Sequence, residues 1–330
     1  MFFILKFLAY YLSLLIFVLL SVAFFTLIER QMLGAMQRRQ GPNVVGFYGI
    51  LQAISDGVKL LLKESVFPRN ADMLIFFFAP VFTFTLALCM WTVIPTNYGF
   101  FLTDFDFSIL YIFTISALSV HSVIMAGWSS NSKYAFLGSL RSAAQMISYE
   151  VSLGVTIVSI VLLTRSFNLN DIALQQTNIW FILPLFPMFL VFAICALAET
   201  NRHPFDLPEA ESELVSGYNV EYAAMGFALF FLAEYSNIIV MSCLGALFFL
   251  GGWGPFLNLK IFSLIPNPIN FALKTFLFIY LFVIARGTFP RYRYDQLMRL
   301  GWKVFLPFSL AYVVILACWL IGFNQTLRFY

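Results

Sequence analysis

Eight long runs of apolar residues leave this chain few folds to adopt. They cover about residues 5–28, 74–95, 108–127, 145–164, 181–198, 221–250, 271–285 and 304–323. A helix needs roughly 20 apolar residues to cross the hydrocarbon core of a bilayer, and all but the shorter seventh run are near that length. The runs are continuous and do not alternate apolar with polar residues, so they predict helices. We expect an all-α integral membrane protein with eight transmembrane helices, forming a single membrane domain over residues 1–330.

The composition excludes several other classes of protein. The chain is 61% hydrophobic and 11% charged, whereas about a quarter of the residues of a soluble domain are charged. A net charge of +3, with no basic run, argues against a nucleic-acid partner. No glycine-rich dinucleotide or Walker motif is present. The four cysteines stand singly, at Cys89, Cys195, Cys243 and Cys318, which argues against an iron–sulfur cluster or structural zinc. Without these motifs we expect no flavin, iron–sulfur cluster or metal.

The distribution of lysine and arginine predicts the orientation. Fourteen of the 19 basic residues fall in or beside the first, third, fifth and seventh connections between the apolar runs. Basic connections stay on the cytoplasmic or matrix side of a membrane. The odd connections should therefore face the matrix or cytoplasm, and both termini the opposite side.

The first connection contains a segment with two distinct faces. Between residues 50 and 63, wound as a helix, the apolar side chains fall on one arc and most polar ones on the opposite arc. This pattern predicts an amphipathic helix that lies in the membrane interface. Such a helix is either a surface anchor or the frame of a lateral opening for a lipid-soluble substrate.

Several carboxylates lie where a bilayer makes them costly. Glu150 falls one turn into the fourth apolar run, Glu199 ends the fifth, Glu221 begins the sixth, and Glu234 lies about 20 Å further along that helix. Acidic residues inside membrane spans face protein or water, and they usually mark functional sites. A structural pair with arginine, or an acid at a helix end, is the alternative interpretation.

The fifth connection is acidic, against the basic bias of its side. Residues 199–213 contain five acids and one arginine. Part of this has a structural explanation, since Asp206 and Glu209 have the spacing of a helix-capping box. A capping box needs one acid at its third helical position, whereas Glu211 and Glu213 follow as well. We interpret the excess as a route for charge.

Four stretches of the sequence resemble one family. They are RQGPNVVG at 39–46 with the following 49–64, GWSSNSKYAFLG to ISYE at 127–150, AETNR through ELVSGYNVEY at 198–222, and TFPRYRYDQLM at 288–298. In this order they are similar to subunit 1 of respiratory complex I, the proton-pumping NADH:ubiquinone oxidoreductase. They cover all the odd connections.

This resemblance implies the position of a quinone chamber. The family has eight transmembrane helices and closes the membrane end of that chamber against two hydrophilic subunits. An interfacial helix and the first and sixth spans frame the passage of the quinone tail from the bilayer. By motif position the chamber residues are Glu29, Arg30, Asp56, Arg202, Asp206, Phe231, Tyr235 and Arg286. An apolar slot with a few donors and cations suits a quinone.

The resemblance also implies a chain of proton-coupling acids. These acids link the chamber to antiporter-like membrane subunits and match Glu150, Glu199, Glu209, Glu211, Glu213, Glu221 and Glu234. The implied partners are other complex I subunits and membrane lipids. Ubiquinone is the implied substrate, and this chain alone holds no complete catalytic site.

Two departures from the family pattern concern local loop geometry. His203 stands where a small residue is usual, and Gly287 where alanine is common. Plastid relatives differ around residues 219–221, which favours ubiquinone and the mitochondrial inner membrane, with a bacterial plasma membrane as the alternative. Two other functions stay open: the equivalent subunit of a membrane-bound hydrogenase or plastid dehydrogenase, and a freestanding secondary transporter. The transporter is the weaker of the two, because no inverted repeat is visible.

Overall fold

The computed structural model describes residues 2–97, 102–177, 179–206, 217–255 and 265–322. Over these residues the chain forms helices and no strand. The helices are α1 Phe2–Met36, α2 Gln52–Leu62, α3 Met73–Met90, α4 Ser108–Ser129, α5 Lys133–Thr164, α6 Leu169–Gln175, α7 Phe186–Glu199, α8 Ala224–Phe249, α9 Asn267–Thr288 and α10 Tyr294–Gly322. Helix α10 contains a π-helical stretch, Leu300–Phe305.

Long apolar helices occur where the sequence predicts them. Within the described ranges, seven are long and apolar enough to cross a membrane: α1, α3, α4, α5, α8, α9 and α10. Helix α7 has 14 residues and is apolar but shorter than the others. The prediction of an all-α chain with multiple apolar helices is confirmed; over the described residues seven of the eight predicted spans have the length and composition of a transmembrane helix.

The ends of the helices differ from the ends of the apolar runs. Helix α5 begins at Lys133 and not near 145, after Ser132 whose side chain accepts a hydrogen bond from the Ala135 amide. Glu150 therefore lies midway along α5, and its predicted place one turn from the start of that helix is wrong. Helix α8 begins at Ala224, so Glu221 precedes it. Polar residues at a membrane boundary continue a helix readily, and an apolar run does not mark where the helix ends.

Helix α9 also starts earlier than its apolar run, at Asn267. Lys274 consequently lies inside the helix, and its side chain is fully buried. Its ammonium group donates to the carbonyl oxygens of Leu250 at 2.6 Å and Gly254 at 2.8 Å. A cation at the carboxyl end of α8 meets carbonyls that have no partner within the helix.

Two helices organise the core. Helix α8 packs against α1, α2, α3, α7 and α9, and helix α5 packs against α4, α7 and α10. Helices α1 and α10 expose most of their apolar side chains. A short 3₁₀ turn, Gly217–Asn219, lies on α5. A Cβ atom added to Gly138 of α5 would come within 2.8 Å of the Gly217 Cα, so only glycine permits this approach.

Hydrogen bonds between connections define two ends of the bundle. At one end the Asp72 amide donates to Ser129 O at 3.0 Å and the Tyr292 amide to Pro204 O at 3.2 Å, which joins odd connections. At the opposite end Asn168 Nδ2 donates to Asp104 Oδ1 at 2.9 Å. We call the first the basic end, because it holds the basic residues of the odd connections.

Helix α2 lies at the basic end against α1 and α8. It begins at Gln52, two residues after the start of the predicted amphipathic segment. None of its residues is fully buried. Its apolar arc is exposed at Ile54, Val58, Leu61 and Leu62.

Candidate functional site

Four of the predicted chamber residues meet in one cluster at the basic end. Glu29 of α1 is 4% exposed. It accepts a hydrogen bond from the Tyr235 hydroxyl of α8 at 2.7 Å and is paired with Arg286 of α9. The Arg202 guanidinium lies over the Tyr235 ring, 4.3 Å from its centroid. We call Glu29, Arg202, Tyr235 and Arg286 the paired cluster.

The paired cluster satisfies the demands of a buried carboxylate. A charge taken out of water is tolerated only when it is paired and hydrogen-bonded. Arg286 supplies the countercharge, and the Tyr235 hydroxyl supplies a donor. Aromatic rings border the group, since Phe25 meets Tyr235 edge-on at 5.3 Å and Phe231 lies 6.3 Å from the same ring. The result is a small set of fixed cations and donors beside an apolar wall.

The turn at the carboxyl end of α7 determines the position of Arg202. The Asn201 amide donates to Ala198 O at 3.3 Å and the Arg202 amide to Leu197 O at 3.3 Å. Asn201 adopts a left-handed conformation with φ of 50°. This is the Schellman arrangement that terminates helices, and asparagine tolerates the left-handed position better than most residues. The turn carries Arg202 directly back toward α8.

Two further ion pairs contain three of the other four predicted chamber residues, and the fourth, Phe231, borders the paired cluster. Arg30 contacts Asp56 of α2 at 2.8 Å, and both side chains are partly exposed, at 54% and 36%. Asp206 is buried and contacts Arg291 at 3.4 Å. All eight predicted chamber residues thus lie at or near the basic end. Only four of them share the buried cluster.

Two further predicted residues line a cavity inside the bundle. This cavity has a volume of about 50 Å³. Its lining includes Glu199 at the end of α7, Glu234 of α8, and the polar residues Ser116, Tyr218 and Asn237. A polar cavity of this size holds a few water molecules. We call it the acidic cavity.

Hydroxyl groups bind the carboxylates around the acidic cavity. Tyr218 donates to Glu234 Oε1 at 2.5 Å. Ser116 of α4 donates to Glu150 Oε1 at 2.9 Å. Ser116 and Glu199 also line a smaller apolar space of about 10 Å³ next to the cavity. Glu150, Glu199 and Glu234 therefore lie in one interior region of the bundle.

Four further acids were predicted to belong to the route. Glu209, Glu211 and Glu213 lie outside the described residues. Glu221 lies in the turn before α8 and is not among the residues that line the cavity.

The sequence interpretation missed several polar residues of the site. Ser116, Tyr218 and Asn237 line the acidic cavity, and Arg291 pairs with Asp206. One signal was present for the first of these: serines recur at 116, 119 and 122, a spacing that puts a polar stripe on α4. The others have no local signal, because their partners are distant in the sequence.

The paired cluster and the acidic cavity share two short segments. Glu234 and Tyr235 are neighbours on α8 whose side chains point about 100° apart around a helix. One meets Tyr218 at the cavity and the other meets Glu29 in the cluster. Glu199 and Arg202 are likewise the two ends of one turn. A rearrangement of either segment would reach both regions.

The fold and these two regions define a multi-pass membrane protein with buried ion pairs and carboxylates. The chain matches the NADH dehydrogenase family over residues 9–317, and it belongs to that family. It is 56% identical over 306 residues to NADH-ubiquinone oxidoreductase chain 1 of Arabidopsis thaliana, covering 93% of this chain and 94% of that protein. It is also 56% identical over 309 residues to an NADH-quinone oxidoreductase subunit of Rhodospirillum rubrum, covering 93% and 92%. A third relative, NADH-ubiquinone oxidoreductase chain 1 of Chondrus crispus, is 55% identical over 306 residues, covering 93% and 94%.

Proposed function

We propose that this chain is the membrane subunit of a respiratory NADH:ubiquinone oxidoreductase that forms the membrane part of the quinone chamber. The paired cluster is the observation that supports this most strongly. It combines cations, a phenol and a carboxylate with aromatic side chains, in a chain whose relatives are named as quinone oxidoreductase subunits. A quinone headgroup needs donors for its two oxygens, and its tail needs apolar surface.

Reduction of a quinone by two electrons places negative charge on those oxygens until two protons arrive. Fixed cations beside the headgroup stabilise that charge. Arg286 and Arg202 provide them here, while Glu29 and Tyr235 hold the two guanidinium groups in position. Electrons reach the quinone from cofactors of other subunits.

The tail of the substrate enters from the bilayer beside α2. The exposed apolar arc of α2 lies in the membrane interface, and its polar face contacts the basic end through Arg30 and Asp56. Helix α7 completes a set of eight transmembrane helices together with its seven longer neighbours. Helix α2 and the spans α1 and α8 then frame a lateral opening.

The acids of the interior couple quinone reduction to proton translocation. Ser116, Glu199 and Glu234 line one space, and Glu150 accepts a hydrogen bond from Ser116. By the family resemblance, the acids Glu209, Glu211, Glu213 and Glu221 of the fifth connection belong to the same route. Carboxylates linked by hydroxyl groups and water exchange protons without crossing apolar core.

Hydrophilic quinone-site subunits cover the basic end, and antiporter-like membrane subunits receive the proton-coupling signal. The basic end faces the matrix of a mitochondrion, and both termini face the intermembrane space. In a bacterium the corresponding location is the plasma membrane. Identities of 55–56% to NADH-linked relatives support this complex over a hydrogenase or a plastid dehydrogenase.

The test removes one carboxylate from the interior route. In Glu150→Gln, assembled and reconstituted in vesicles, proton pumping and quinone-linked turnover should fall roughly tenfold or more, as expected when a proton-transfer group is lost. NADH oxidation by an artificial acceptor that takes electrons upstream should be unchanged. Asp171→Asn, at the opposite end of the bundle, is the control. Loss of the upstream activity in an intact complex would contradict the proposal.

A further inference from the structure

Gln145 is a buried polar residue that lies between the two regions. It belongs to α5, and its side chain is fully buried. Its amide nitrogen donates to Ala198 O at 2.8 Å and to Phe205 O at 2.7 Å. A primary amide carries two donor hydrogens, and both are used. Because both partners are carbonyl oxygens, only one orientation of the amide fits.

The two carbonyls bracket the turn that the regions share. Ala198 precedes Glu199, which lines the acidic cavity. Phe205 precedes Asp206, which pairs with Arg291. Between them lies Arg202, over the Tyr235 ring. One side chain on α5 therefore holds both ends of the segment that joins the acidic cavity to the paired cluster.

Contacts with neighbouring helices fix the position of the turn, and Gln145 makes two of them. Within the turn, backbone bonds close the end of α7 but do not attach the turn to another helix. The attachment comes from side chains and from the Tyr292 amide, which donates to Pro204 O. Asn201 Nδ2 donates to Met146 Sδ of α5 at 3.4 Å, and Phe205 packs on Tyr149 of α5 at 5.8 Å and stacks on Tyr292 at 5.5 Å. Of these contacts, Gln145 alone binds the backbone at both ends of the segment, at Ala198 O and at Phe205 O.

We propose that Gln145 is a positioning residue that keeps Glu199 and Arg202 at a fixed spacing. Through this spacing, a change of charge at the paired cluster affects the carboxylates of the acidic cavity. This inference rests on the proposed function. Gln145 touches neither region's carboxylates, and it acts through the backbone of residues 198–205. Without its two hydrogen bonds the turn can shift against α5, and the two regions lose their fixed spacing.

A matched residue at the opposite end separates positioning from simple stability. Gln176 is also buried, at 1% exposure, and its amide nitrogen donates to Leu247 O at 2.8 Å and Ile172 O at 3.2 Å. It holds the chain near the far end of α8, away from both regions. Gln145→Met and Gln176→Met each remove one amide from the core and keep the length of the side chain.

The experiment measures protons moved per NADH oxidised by the assembled complex in vesicles. In Gln145→Met this ratio should fall roughly twofold or more, as for residues between coupled sites. NADH oxidation by an upstream acceptor should be unchanged. Gln176→Met should lower the amount or heat stability of the complex and leave the ratio unchanged. A normal ratio in assembled Gln145→Met would overturn the inference.

A second variant covers the case in which Gln145→Met does not assemble. Gln145→Asn keeps the amide but is one methylene shorter, so it can reach only one of the two carbonyls. An intermediate ratio in that variant supports the inference, and a normal one overturns it. If neither variant assembles while Gln176→Met does, Gln145 is a folding residue and the inference is wrong.

Failure of this inference can be distinguished from failure of the proposed function. If Glu150→Gln lowers proton pumping and Gln145→Met does not, only the positioning role is lost. If Glu150→Gln itself pumps normally, the proposed route is wrong, whatever Gln145 does.

Discussion

The paired cluster and the acidic cavity both bury carboxylates, but they give them different partners. Glu29 has a guanidinium and a phenol. Glu150 has the hydroxyl of Ser116, and Glu199 Oε2 is buried without a hydrogen bond. Neither Glu150 nor Glu199 forms an ion pair with a cation in the part of the chain that the structure describes. The paired cluster therefore gives its buried carboxylate a cationic partner, whereas over the described residues Glu150 and Glu199 have none.

The difference indicates different roles. A guanidinium has only donors, so it suits one charge state of its partner. A hydroxyl can donate or accept, so Ser116 suits Glu150 with or without its proton. This difference agrees with the proposed function, in which the paired cluster holds charge in a fixed position. In the same proposal the acidic cavity lets the charge of its carboxylates change.

The first prediction compares the loss of a charged partner in the paired cluster with the loss of a hydroxyl partner at the acidic cavity. Arg286→Met leaves Glu29 buried without its countercharge and should destabilise the assembled complex by about 3 kcal/mol, the lower end of the range for buried pairs. We take the lower end because a third of the Arg286 side chain is exposed. Ser116→Ala, which removes only a hydroxyl donor from the cavity, should cost about 1 kcal/mol. Thermal inactivation of the assembled complex measures both.

The double variant Glu29→Gln with Arg286→Met is the control for this prediction. Since it removes the stranded charge together with its partner, it should be more stable than Arg286→Met alone. Additive losses would show that the two side chains are not energetically paired.

Much of this organisation could be predicted from the sequence. The apolar runs predict the long helices, because lipid requires that pattern whatever the tertiary contacts. The cost of carboxylates in lipid singles out Glu150, Glu199 and Glu234, which lie in one interior region of the bundle. Glu29 and Arg286 were predicted through family resemblance. Without it, each would be interpreted as an ordinary charged residue at a membrane boundary.

What the sequence could not predict is which side chains become partners. Tyr235 and Glu29 are 206 positions apart, and Glu29 and Arg286 are 257 apart. No local pattern encodes such pairs, because they depend on how the helices pack. The start of α5 was missed for a related reason: residues 133–144 are partly polar, and polarity marks the edge of the lipid rather than the end of a helix. Gln145 stayed unnoticed because a glutamine is ordinary in such a segment.

The second prediction tests whether the geometry of Arg286 matters in addition to its charge. Lysine keeps the charge but not the planar fork of donors. Arg286→Lys should raise the apparent quinone KM or lower turnover by about three- to tenfold, or about 1 kcal/mol. Arg299→Lys, an exposed position on α10, is the matched control and should behave as wild type.

Both variants of this pair should assemble normally on a native gel. Matching kinetics for the two would make Arg286 an ordinary interfacial residue. The paired cluster would then lose its functional distinction from the cavity.

The third prediction concerns access, which should also differ between the regions. The paired cluster lies near α2, whereas the acidic cavity lies between α3, α4, α5, α7 and α8. Ile54 is on the exposed apolar arc of α2, at 62% exposure. Ile54→Trp should lower turnover with long-tailed quinones by about threefold and leave short-tailed quinones nearly unaffected. The reason is that only a long tail must pass the enlarged side chain.

Turnover with two quinones of different tail length in the same preparation measures this effect. Lys59→Trp, which adds the same ring to the polar arc of α2, is the control. An equal loss with both quinones would make α2 a surface anchor only.

The smallest predicted effect is a dependence of stability on pH at the edge of the paired cluster. Burial, followed by the charges of Arg291 and Arg286, holds the pKa of His203 below its usual value in the folded protein. The ordinary pKa is about 6.5, so above that pH the imidazole is neutral in both folded and unfolded chains. As the pH falls below about 6.5 the unfolded chain binds the proton first, and the folded state loses stability. Because His203 is only half-buried, screening by water should keep the loss well under about 1 kcal/mol.

His203→Gln should reduce the fall in thermal stability between about pH 7.5 and about pH 5.5. His121→Gln, on the exposed face of α4, should retain the fall of the wild type. If His203→Gln and the wild type lose stability equally on acidification, the arginines do not act on His203, and its nearness to the cluster has no consequence for charge.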